Sequence, residues 1–319
     1  MTGHNSFEDD LLDRIMILSE GVWENRIHRP DIEAWLANFS GDVFSVQRER
    51  IFAIVLLAHF TYFGDRELRV MLRSLYRDLF RYPLIQSIRT DRGGTTDAND
   101  VNAAFQLARA RTRFLGMGNP SESGAHLLYY FRQENRLPKN LFVHQHEVLR
   151  AAPRQDVPAI DIPDLDRLIF IDDVLGSGKQ ALEYSEKILS KYREAANHEG
   201  RDLSIHYYVL FAKQGGLDVA RNGLFDEVNA VHILDESESA FSGTSRLLAN
   251  LANDISLDDL ETFARHYGEK VLTGHGLGYR NGQMLLGFHH NIPNNTLPIF
   301  WMDELGPHWQ ALFPRYQKV

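Results

Sequence analysis

A buried strand that runs directly into two acids and a small loop dominates the middle of this chain. Residues 167–181 read RLIFIDDVLGSGKQA, with four consecutive apolar residues before Asp172 and Asp173. A continuous apolar run of strand length predicts a strand covered on both faces, as in parallel sheets. Ligands of open parallel sheets bind beyond the carboxyl ends of the strands. We therefore expect the acid pair to lie at a binding edge.

The loop after the acids has the composition of an anion site. It leads straight into a predicted helix, whose first backbone N–H groups and dipole favour a bound anion. Ser177 adds a hydroxyl and Lys179 adds a positive charge. A sugar phosphate fits this order of groups, with the carboxylates on sugar hydroxyls and the phosphate on the loop. The candidate phosphate-binding residues are Gly176, Ser177, Gly178, Lys179 and Gln180.

Two other interpretations compete with a sugar-phosphate site. Acid pairs and glycine-rich turns also occur as solvated punctuation between elements, and the short pattern leaves this structural interpretation open. A nucleotide-binding P-loop needs glycine five residues before Gly178 and a Ser or Thr at the position of Gln180. This chain has Asp173 at the first of these positions. The sequence therefore excludes a P-loop.

Strand and helix patterns alternate through the second part of the chain. The stretches ARTRFLGMG, NLFVHQHEVL, RLIFIDD, SIHYYVLFA, NAVHIL and GQMLLGFHH read as strands, with amphipathic helices among them. This alternation predicts βαβ units and an α/β fold with a mostly parallel sheet. Residues 7–82 read as helices, and TDRGGTTDANDVN at 90–102 reads as a boundary loop. We predict a helical N-terminal region at 1–104 and an α/β domain at 105–319.

Composition excludes several classes of protein. The 319 residues include no cysteine, so disulfides, thiolate metal sites and a cysteine nucleophile are ruled out. The fourteen histidines show no zinc-binding spacing, and we expect no dedicated metal site. The first residues lack the layout of a signal peptide, and the apolar runs are too short for a bilayer. We therefore expect a cytoplasmic protein without a membrane segment.

The charges are distributed unevenly. Residues 1–150 carry 19 Lys and Arg and 19 Asp and Glu, whereas the remainder carries 15 and 24 and accounts for the net charge of −9. Arginine dominates the cations of the first part and suits phosphate recognition. Five arginines recur at helical spacing and form one stripe, a candidate nucleic-acid surface or a solvated face with local ion pairs. They are Arg66, Arg69, Arg73, Arg77 and Arg81.

The stretch LIFIDDVLGSGKQA resembles the phosphoribosyl pyrophosphate (PRPP) loop of type I phosphoribosyltransferases. The resemblance implies the type I phosphoribosyltransferase fold, with Asp172 and Asp173 as catalytic residues on the ribose 2′- and 3′-hydroxyls. It also implies that residues 176–180 bind the 5′-phosphate and that Mg²⁺ enters bound to PRPP. Gly176 and Gln180 stand where the family has threonine, so phosphate binding must depend on backbone N–H groups.

Two further segments are similar to a divergent phosphoribosyltransferase-like family of bacterial conflict systems, which includes retron-associated effectors. They are GMGNPSESGAHLLYYFRQEN and GLGYRNGQMLLGFHHNIPNNTLPIFW. This resemblance implies an antiphage effector that acts at the ribose anomeric carbon, by transfer or by cleaving a nucleotide N-glycosidic bond. A catalytically silent module that senses a nucleotide or binds nucleic acid or protein is the alternative. The implied partners are a winged-helix protein and a reverse transcriptase with its RNA or DNA. An oligomer of the effector is also compatible with this resemblance.

The same two segments contain further candidate site residues. The first is a strand-to-helix loop of the kind that binds pyrophosphate in type I enzymes, and an ordinary helix cap is the alternative. Its candidates are Arg113, Asn119, Ser121, Ser123 and Gly124. The second has asparagines that suit a base edge and an aromatic ring that suits stacking, and a rigid turn is the alternative. Its candidates for an acceptor or closing loop are Asn291, Asn294, Asn295 and Trp301.

Overall fold

The first third of the chain is helical apart from one short strand. The structure is a computed structural model that describes residues 3–117, 123–151, 157–252, 254–303 and 309–315. The elements in this part are α1 (Gly3–Gly21), α2 (Arg29–Leu36), α3 (Val46–Ala58), β1 (Thr61–Phe63), α4 (Asp65–Ser74), α5 (Tyr82–Asp91) and α6 (Ala98–Ala110). A π-helical segment, Leu75–Arg81, joins α4 to α5. The predicted helical N-terminal portion is confirmed.

The elements that follow alternate between strand and helix. They are β2 (Thr112–Gly116), α7 (Ser123–Glu134), β3 (Leu149–Arg150), β4 (Ala159–Ile160), β5 (Arg167–Leu175), α8 (Lys179–Tyr184), α9 (Ser190–Glu199), β6 (Ser204–Lys213), α10 (Gln214–Arg221) and β7 (Glu227–Leu234). The π-helical segment Ser185–Leu189 joins α8 to α9. The last elements are α11 (Leu257–Val271), which is capped by the Ser256 side chain, and β8 (Leu286–Phe288). None of the described helices combines the length and apolar character needed to cross a bilayer.

A four-stranded sheet in the order β2-β5-β6-β7 carries the acid pair. Strand β5 pairs in parallel with β2 on one side and with β6 on the other, with Ile169 opposite Phe114 and His206. Residues Leu168 to Ile171 are fully buried, as the apolar run predicts. Two smaller sheets pair β1 with β8 in parallel and β3 with β4 in antiparallel. The predicted α/β class with a mostly parallel sheet is confirmed.

The chain divides into two units at positions that differ from the predicted boundary at residue 104. The first unit contains Met1–Leu68 with Leu234–Val319, and the second contains Arg69–Ile233. In the second unit, the Phe80 ring lies 6.2 Å from Phe105 and 5.4 Å from Phe114, so the helices before the sheet share its core. Hydrophobic spacing shows that a helix face is buried, but it does not show which partner covers that face.

The two ends of the chain build the core of the first unit. The Trp35 ring stacks on Phe300 at 5.3 Å, and its indole N–H donates to the carbonyl of Ile299 at 2.8 Å. The predicted late strand GQMLLGFHH reduces to the three residues of β8, which pairs with β1 outside the four-stranded sheet. The C-terminal segment therefore packs within the first unit.

The predicted strand NLFVHQHEVL forms mainly short 3₁₀ turns, at Lys139–Leu141 and Gln145–Glu147, and ends in the two-residue β3. The Glu147 side chain accepts the backbone N–H of His144 at 2.6 Å, which closes one of these turns. Phe142 makes a single bridge to Phe114 and packs its ring against it. A local cap and aromatic packing outweigh the strand pattern here.

Glu49 is a buried carboxylate that organises the first unit. It is fully buried and accepts the N–H groups of Gly41, Val43 and Phe44 at 2.7, 2.8 and 3.0 Å. The Tyr267 hydroxyl of α11 donates to it at 2.5 Å. Burial opposes ionisation of Glu49, but these hydrogen bonds outweigh it, so its pKa lies below the ordinary value. One side chain thus ties α3, the loop before it and α11 together.

We expect Glu49→Gln to lower the free energy of unfolding by about 2–3 kcal/mol at pH 7, because the amide leaves buried N–H donors unpaired. The pKa of Glu49 is lower in the folded than in the unfolded chain. Its stabilisation is therefore full above the unfolded value of about 4.5 and is lost as the pH falls through the folded value. Urea unfolding from pH 7 to pH 3 measures this difference. Tyr267→Phe is the comparison, because it removes one donor to Glu49 together with the acceptor of the Ser40 N–H and leaves the three backbone donors of Glu49 in place. An unchanged urea midpoint for Glu49→Gln at pH 7 contradicts the assignment.

Candidate functional site

Strand β5 holds the acid pair inside the sheet, before its last residue. Pairing with β6 continues past the acids, with Val174 opposite Phe211 and Leu175 opposite Ala212. Successive side chains of a strand point to opposite faces. Asp172 therefore shares a face with Phe170, and the Asp173 carboxyl lies within hydrogen-bonding reach of the Asp172 side chain. The acids are near the carboxyl end of a central strand as predicted, but two further residues extend the strand beyond them.

Local hydrogen bonds hold both carboxylates. The backbone N–H of Asp173 donates to Asp172 Oδ1 at 2.9 Å, and that of Val174 donates to Asp173 Oδ1 at 2.8 Å. The Tyr207 hydroxyl of β6 donates to Asp172 Oδ2 at 3.2 Å. Asp173 is only 5% exposed. The pair is therefore an ordered, partly enclosed group and not a solvated surface charge.

Burial raises the pKa of Asp172 well above its ordinary value, and the neighbouring charge of Asp173 raises it further. The hydrogen bonds from the Asp173 N–H and the Tyr207 hydroxyl act in the opposite direction. Two carboxyl groups this close disfavour double ionisation and titrate as a pair. Together they can accept hydrogen bonds from adjacent hydroxyls of one ligand, as a sugar diol requires.

Glycines give the loop after β5 its shape. Gly178 has φ +74° and caps α8, and a Cβ there would lie 2.6 Å from the carbonyl oxygen of Gly216. A Cβ on Gly216, in the first turn of α10, would lie 2.2 Å from the carbonyl oxygen of Gly176. The backbones of the loop and of α10 therefore touch directly, and α10 fixes the loop in place.

The loop offers an anion mainly backbone donors. It opens the helical run that begins at Lys179, where the first N–H groups have no partner within the helix. The Lys179 N–H reaches the Ser177 hydroxyl at 3.4 Å, and the Lys179 ammonium lies 3.6 Å from the Glu183 carboxylate. Lys179 and Gln180 are exposed. Phosphate binding by these backbone N–H groups stays a prediction.

The PRTase-CE family matches residues 32–315 of the chain. The chain belongs to the PRTase-CE family. The match covers both units and includes the acid pair, the glycine-built loop and the C-terminal segment. No curated protein matches the chain.

Solved phosphoribosyltransferase structures are similar to part of this PRTase-CE chain. Orotate phosphoribosyltransferase from Aeropyrum pernix is 17% identical over 50% of this chain and 75% of its own, with a TM-score of 0.22. Xanthine-guanine-hypoxanthine phosphoribosyltransferase from Helicobacter pylori is 12% identical over 55% and 87%, with a TM-score of 0.26. Adenine phosphoribosyltransferase from Trypanosoma brucei, in complex with AMP, pyrophosphate and ribose-5-phosphate, is 18% identical over 53% and 79%, with a TM-score of 0.23. Scores this low support no transfer of ligands or residue roles.

The predicted pyrophosphate loop lies between β2 and α7. Asn119 and Ser121 are outside the described residues, and only the helical backbone is described at Ser123 and Gly124. Arg113 points elsewhere, because its guanidinium donates to the carbonyls of Ala110 and Thr112 at 2.7 and 2.9 Å. These carbonyls lie at the start of β2, at the opposite end of the strand from the loop that follows it. The geometry therefore does not support Arg113 as a pyrophosphate ligand.

Side chains of the predicted acceptor or closing loop form hydrogen bonds to backbone carbonyls of their own segment. The Asn295 amide donates to the carbonyl of Tyr279 at 2.9 Å, and the Trp301 indole N–H donates to that of Thr296 at 2.9 Å. Both side chains are buried, which fits the alternative of a rigid turn. Asn294 is exposed and Asn291 is half-buried. A role in ligand binding stays a prediction for these last two residues.

The arginine stripe makes contacts within the chain. Arg69 and Arg73 bind the Glu134 carboxylate at 3.1 and 2.9 Å. Arg77 binds Asp78 at 2.7 Å, Arg81 lies over the rings of Tyr82 and Phe105, and Arg66 is exposed. These contacts favour the alternative of a face with local ion pairs. Binding of nucleic acid stays a prediction.

In the part of the chain that the structure describes, no group of three or more His, Asp or Glu is placed to hold a metal ion.

Two contributors to the site are absent from the predicted set, namely Tyr207 and Gly216. The Gly-Gly pair that follows a predicted strand after two residues is a signal of close backbone approach that points to Gly216. Tyr207 has no comparable signal, because its contact with Asp172 depends on the register between β5 and β6.

Proposed function

We propose that this chain binds a ribose 5-phosphate group, as found in PRPP or a nucleotide, at the carboxyl end of β5. One observation supports this most directly. An enclosed acid pair and a glycine-built anion loop follow one another on a central parallel strand, in a chain of the PRTase-CE family. The carboxylates of Asp172 and Asp173 would accept the ribose hydroxyls. The backbone of residues 176–180 would bind the 5′-phosphate. Mg²⁺ enters with the pyrophosphate as part of the substrate.

We further propose reaction at the ribose anomeric carbon. The bond from that carbon to the leaving group breaks, and the leaving group departs with the electron pair. An acceptor lone pair forms the new bond, and the acceptor then loses its proton to solvent or to a base. With PRPP the leaving group is pyrophosphate, and with a nucleotide it is the base while water is the acceptor. Positioning of the sugar by the acids and the loop lowers the barrier to this displacement.

Isothermal titration calorimetry with PRPP in the presence of Mg²⁺ tests the binding step. We expect saturable binding of PRPP and of ribose 5-phosphate, and weaker binding of inorganic phosphate, because the phosphate alone leaves the acids without a partner. Buffer with Mg²⁺ alone is the control for metal binding. A protein that is folded by circular dichroism and binds neither sugar phosphate contradicts the proposal.

A catalytically silent module that senses a nucleotide is the second candidate. It is favoured by Gly176 and Gln180, which lack the hydroxyls that the resemblance places at these positions. Release of pyrophosphate from PRPP, or of a free base from a nucleotide pool, distinguishes the two functions. Binding without either product supports the silent module.

The proposed setting is an antiphage defence system, in which a winged-helix protein or a reverse transcriptase with its nucleic acid acts beside this chain. The conflict-system resemblance of the two segments at 116–135 and 276–301 supports this setting. Genes for such partners next to the coding sequence, and phage protection that is lost with Asp172→Asn, are the observations that test it.

A further inference from the structure

Tyr207 lies beneath the acid pair on the neighbouring strand. Its side chain is 2% exposed, and its ring stacks on Phe225 with centroids 5.3 Å apart and planes 25° apart. The register of β5 with β6 places Tyr207 opposite Phe170. Phe170 lies two residues before Asp172, so both side chains are on the same face of β5. This packing holds the hydroxyl in one place, 3.2 Å from Asp172 Oδ2.

Tyr207 is a donor at every physiological pH. Burial raises the pKa of its hydroxyl well above the ordinary value, and the charge of Asp172 raises it further. Among the described residues, the titratable groups that act on Asp172 are Asp173, next to it on β5, and Tyr207, on β6. The hydroxyl therefore keeps its proton and points it at the Asp172 carboxylate.

Each carboxylate oxygen of Asp172 accepts a hydrogen bond from the protein. The Asp173 N–H holds Oδ1 at 2.9 Å, and the Tyr207 hydroxyl holds Oδ2 at 3.2 Å. A carboxylate oxygen has more than one acceptor direction, so each oxygen keeps capacity for a ligand hydroxyl. Without the phenol, Asp172 would lose the hydrogen bond at Oδ2 and its plane would rotate more freely. A site that hydrogen-bonds a specific hydroxyl discriminates against ligands without it only while its polar groups stay in place.

We infer that Tyr207 is a positioning residue of the sugar site, which fixes the plane of the Asp172 carboxylate so that the site selects a ribose with both vicinal hydroxyls. This inference rests on the proposed function. It assigns the basis of sugar selectivity to the strand that neighbours the acid pair, and it requires no contact between Tyr207 and the ligand.

The test compares three ligands by calorimetry: ribose 5-phosphate, 2-deoxyribose 5-phosphate and 3-deoxyribose 5-phosphate. The wild-type chain should prefer ribose 5-phosphate over both deoxy sugars. Tyr207→Phe keeps the buried ring and removes only the hydroxyl. We expect it to lower the affinity for ribose 5-phosphate about tenfold, as for loss of a hydrogen bond to a charged group. We also expect a smaller preference for ribose 5-phosphate over at least one deoxy sugar. The affinity for that deoxy sugar should change little.

Tyr208→Phe is the matched control. Tyr208 is the next residue of β6, is equally buried, and donates its hydroxyl to Glu227 at 2.7 Å on the other face of the sheet. Its removal should leave the sugar preference at the wild-type value. Thermal unfolding of both variants checks that each is folded. In a chain that already carries Asp172→Asn, Tyr207→Phe should have no further effect on selectivity.

The outcomes separate this inference from the proposed function. If Tyr207→Phe weakens all three sugars equally, or if Tyr208→Phe changes selectivity as much, the positioning role is overturned and Tyr207 is a packing residue. If the folded wild-type chain binds none of the three, the proposed function fails and the inference falls with it. A selective loss in Tyr207→Phe alone supports both.

Discussion

Replacing both acids, by Asp172→Asn together with Asp173→Asn, is expected to reduce the affinity for PRPP and ribose 5-phosphate by about 100-fold or more. A hydrogen bond to a charged group contributes about 1.5–3 kcal/mol, and two such bonds are lost. The asparagines keep the size of the acids but replace a carboxylate oxygen with an NH₂ group. This group cannot accept the hydrogen bond that a sugar hydroxyl donates. Calorimetry with both sugar phosphates measures the loss. Affinity equal to the wild type contradicts the assignment of the sugar site.

The same double variant should stay folded, and its stability at pH 7 should equal or exceed that of the wild type. The pKa of Asp172 is raised in the folded chain by burial and by Asp173. An acid whose folded pKa lies above its unfolded value stabilises the protonated, low-pH state, and that contribution is lost as the pH rises through the folded value. Asparagine has no charge to bury, so the penalty above the unfolded value of about 3.8 disappears. Urea unfolding at pH 4 and pH 7 should show the variant gaining on the wild type as the pH rises.

Gly216→Ala is expected to disrupt the phosphate loop and to lower the free energy of unfolding by about 1–3 kcal/mol, the usual cost of overpacking. The added Cβ would lie 2.2 Å from the carbonyl oxygen of Gly176. That oxygen belongs to the backbone, so the loop or α10 must move to make room. Because the loop supplies the phosphate donors, sugar-phosphate affinity should fall with stability.

Gly215→Ala is the control for this variant, because nothing lies within 4 Å of a Cβ at the adjacent position. It should bind and unfold like the wild type. Urea unfolding and calorimetry with ribose 5-phosphate measure both variants. If the two alanines behave alike, the contact between the loop and α10 does not control the site.

The local residue pattern predicted much of the structure around the acid pair. The apolar run before Asp172 predicted the buried strand β5, and the glycines after it predicted the turn into a helix. Both features follow from neighbours along the chain, since strand burial and turn geometry depend on residue type and spacing. The acid pair accordingly lies near the carboxyl end of β5, and its role in ligand binding stays a prediction.

Long-range pairing decided what patterning could not. The arginine stripe has the spacing of a cationic surface, but Glu134 of α7 binds both Arg69 and Arg73 in the folded chain. The asparagine-rich loop has the composition of a ligand contact, but Asn295 is buried and bonded to Tyr279. In each case the partner is distant in sequence, so spacing along the chain carries no information about it.

By itself, the sequence determined the class of the fold, the central strand and the order of acids and loop, because these depend on short-range alternation and on backbone chemistry. The tertiary structure alone decided that both ends of the chain form one unit, that α10 holds the loop, and that Tyr207 orients Asp172. These arrangements depend on sheet register and on close contact between backbones. Neither property is a function of local residue pattern.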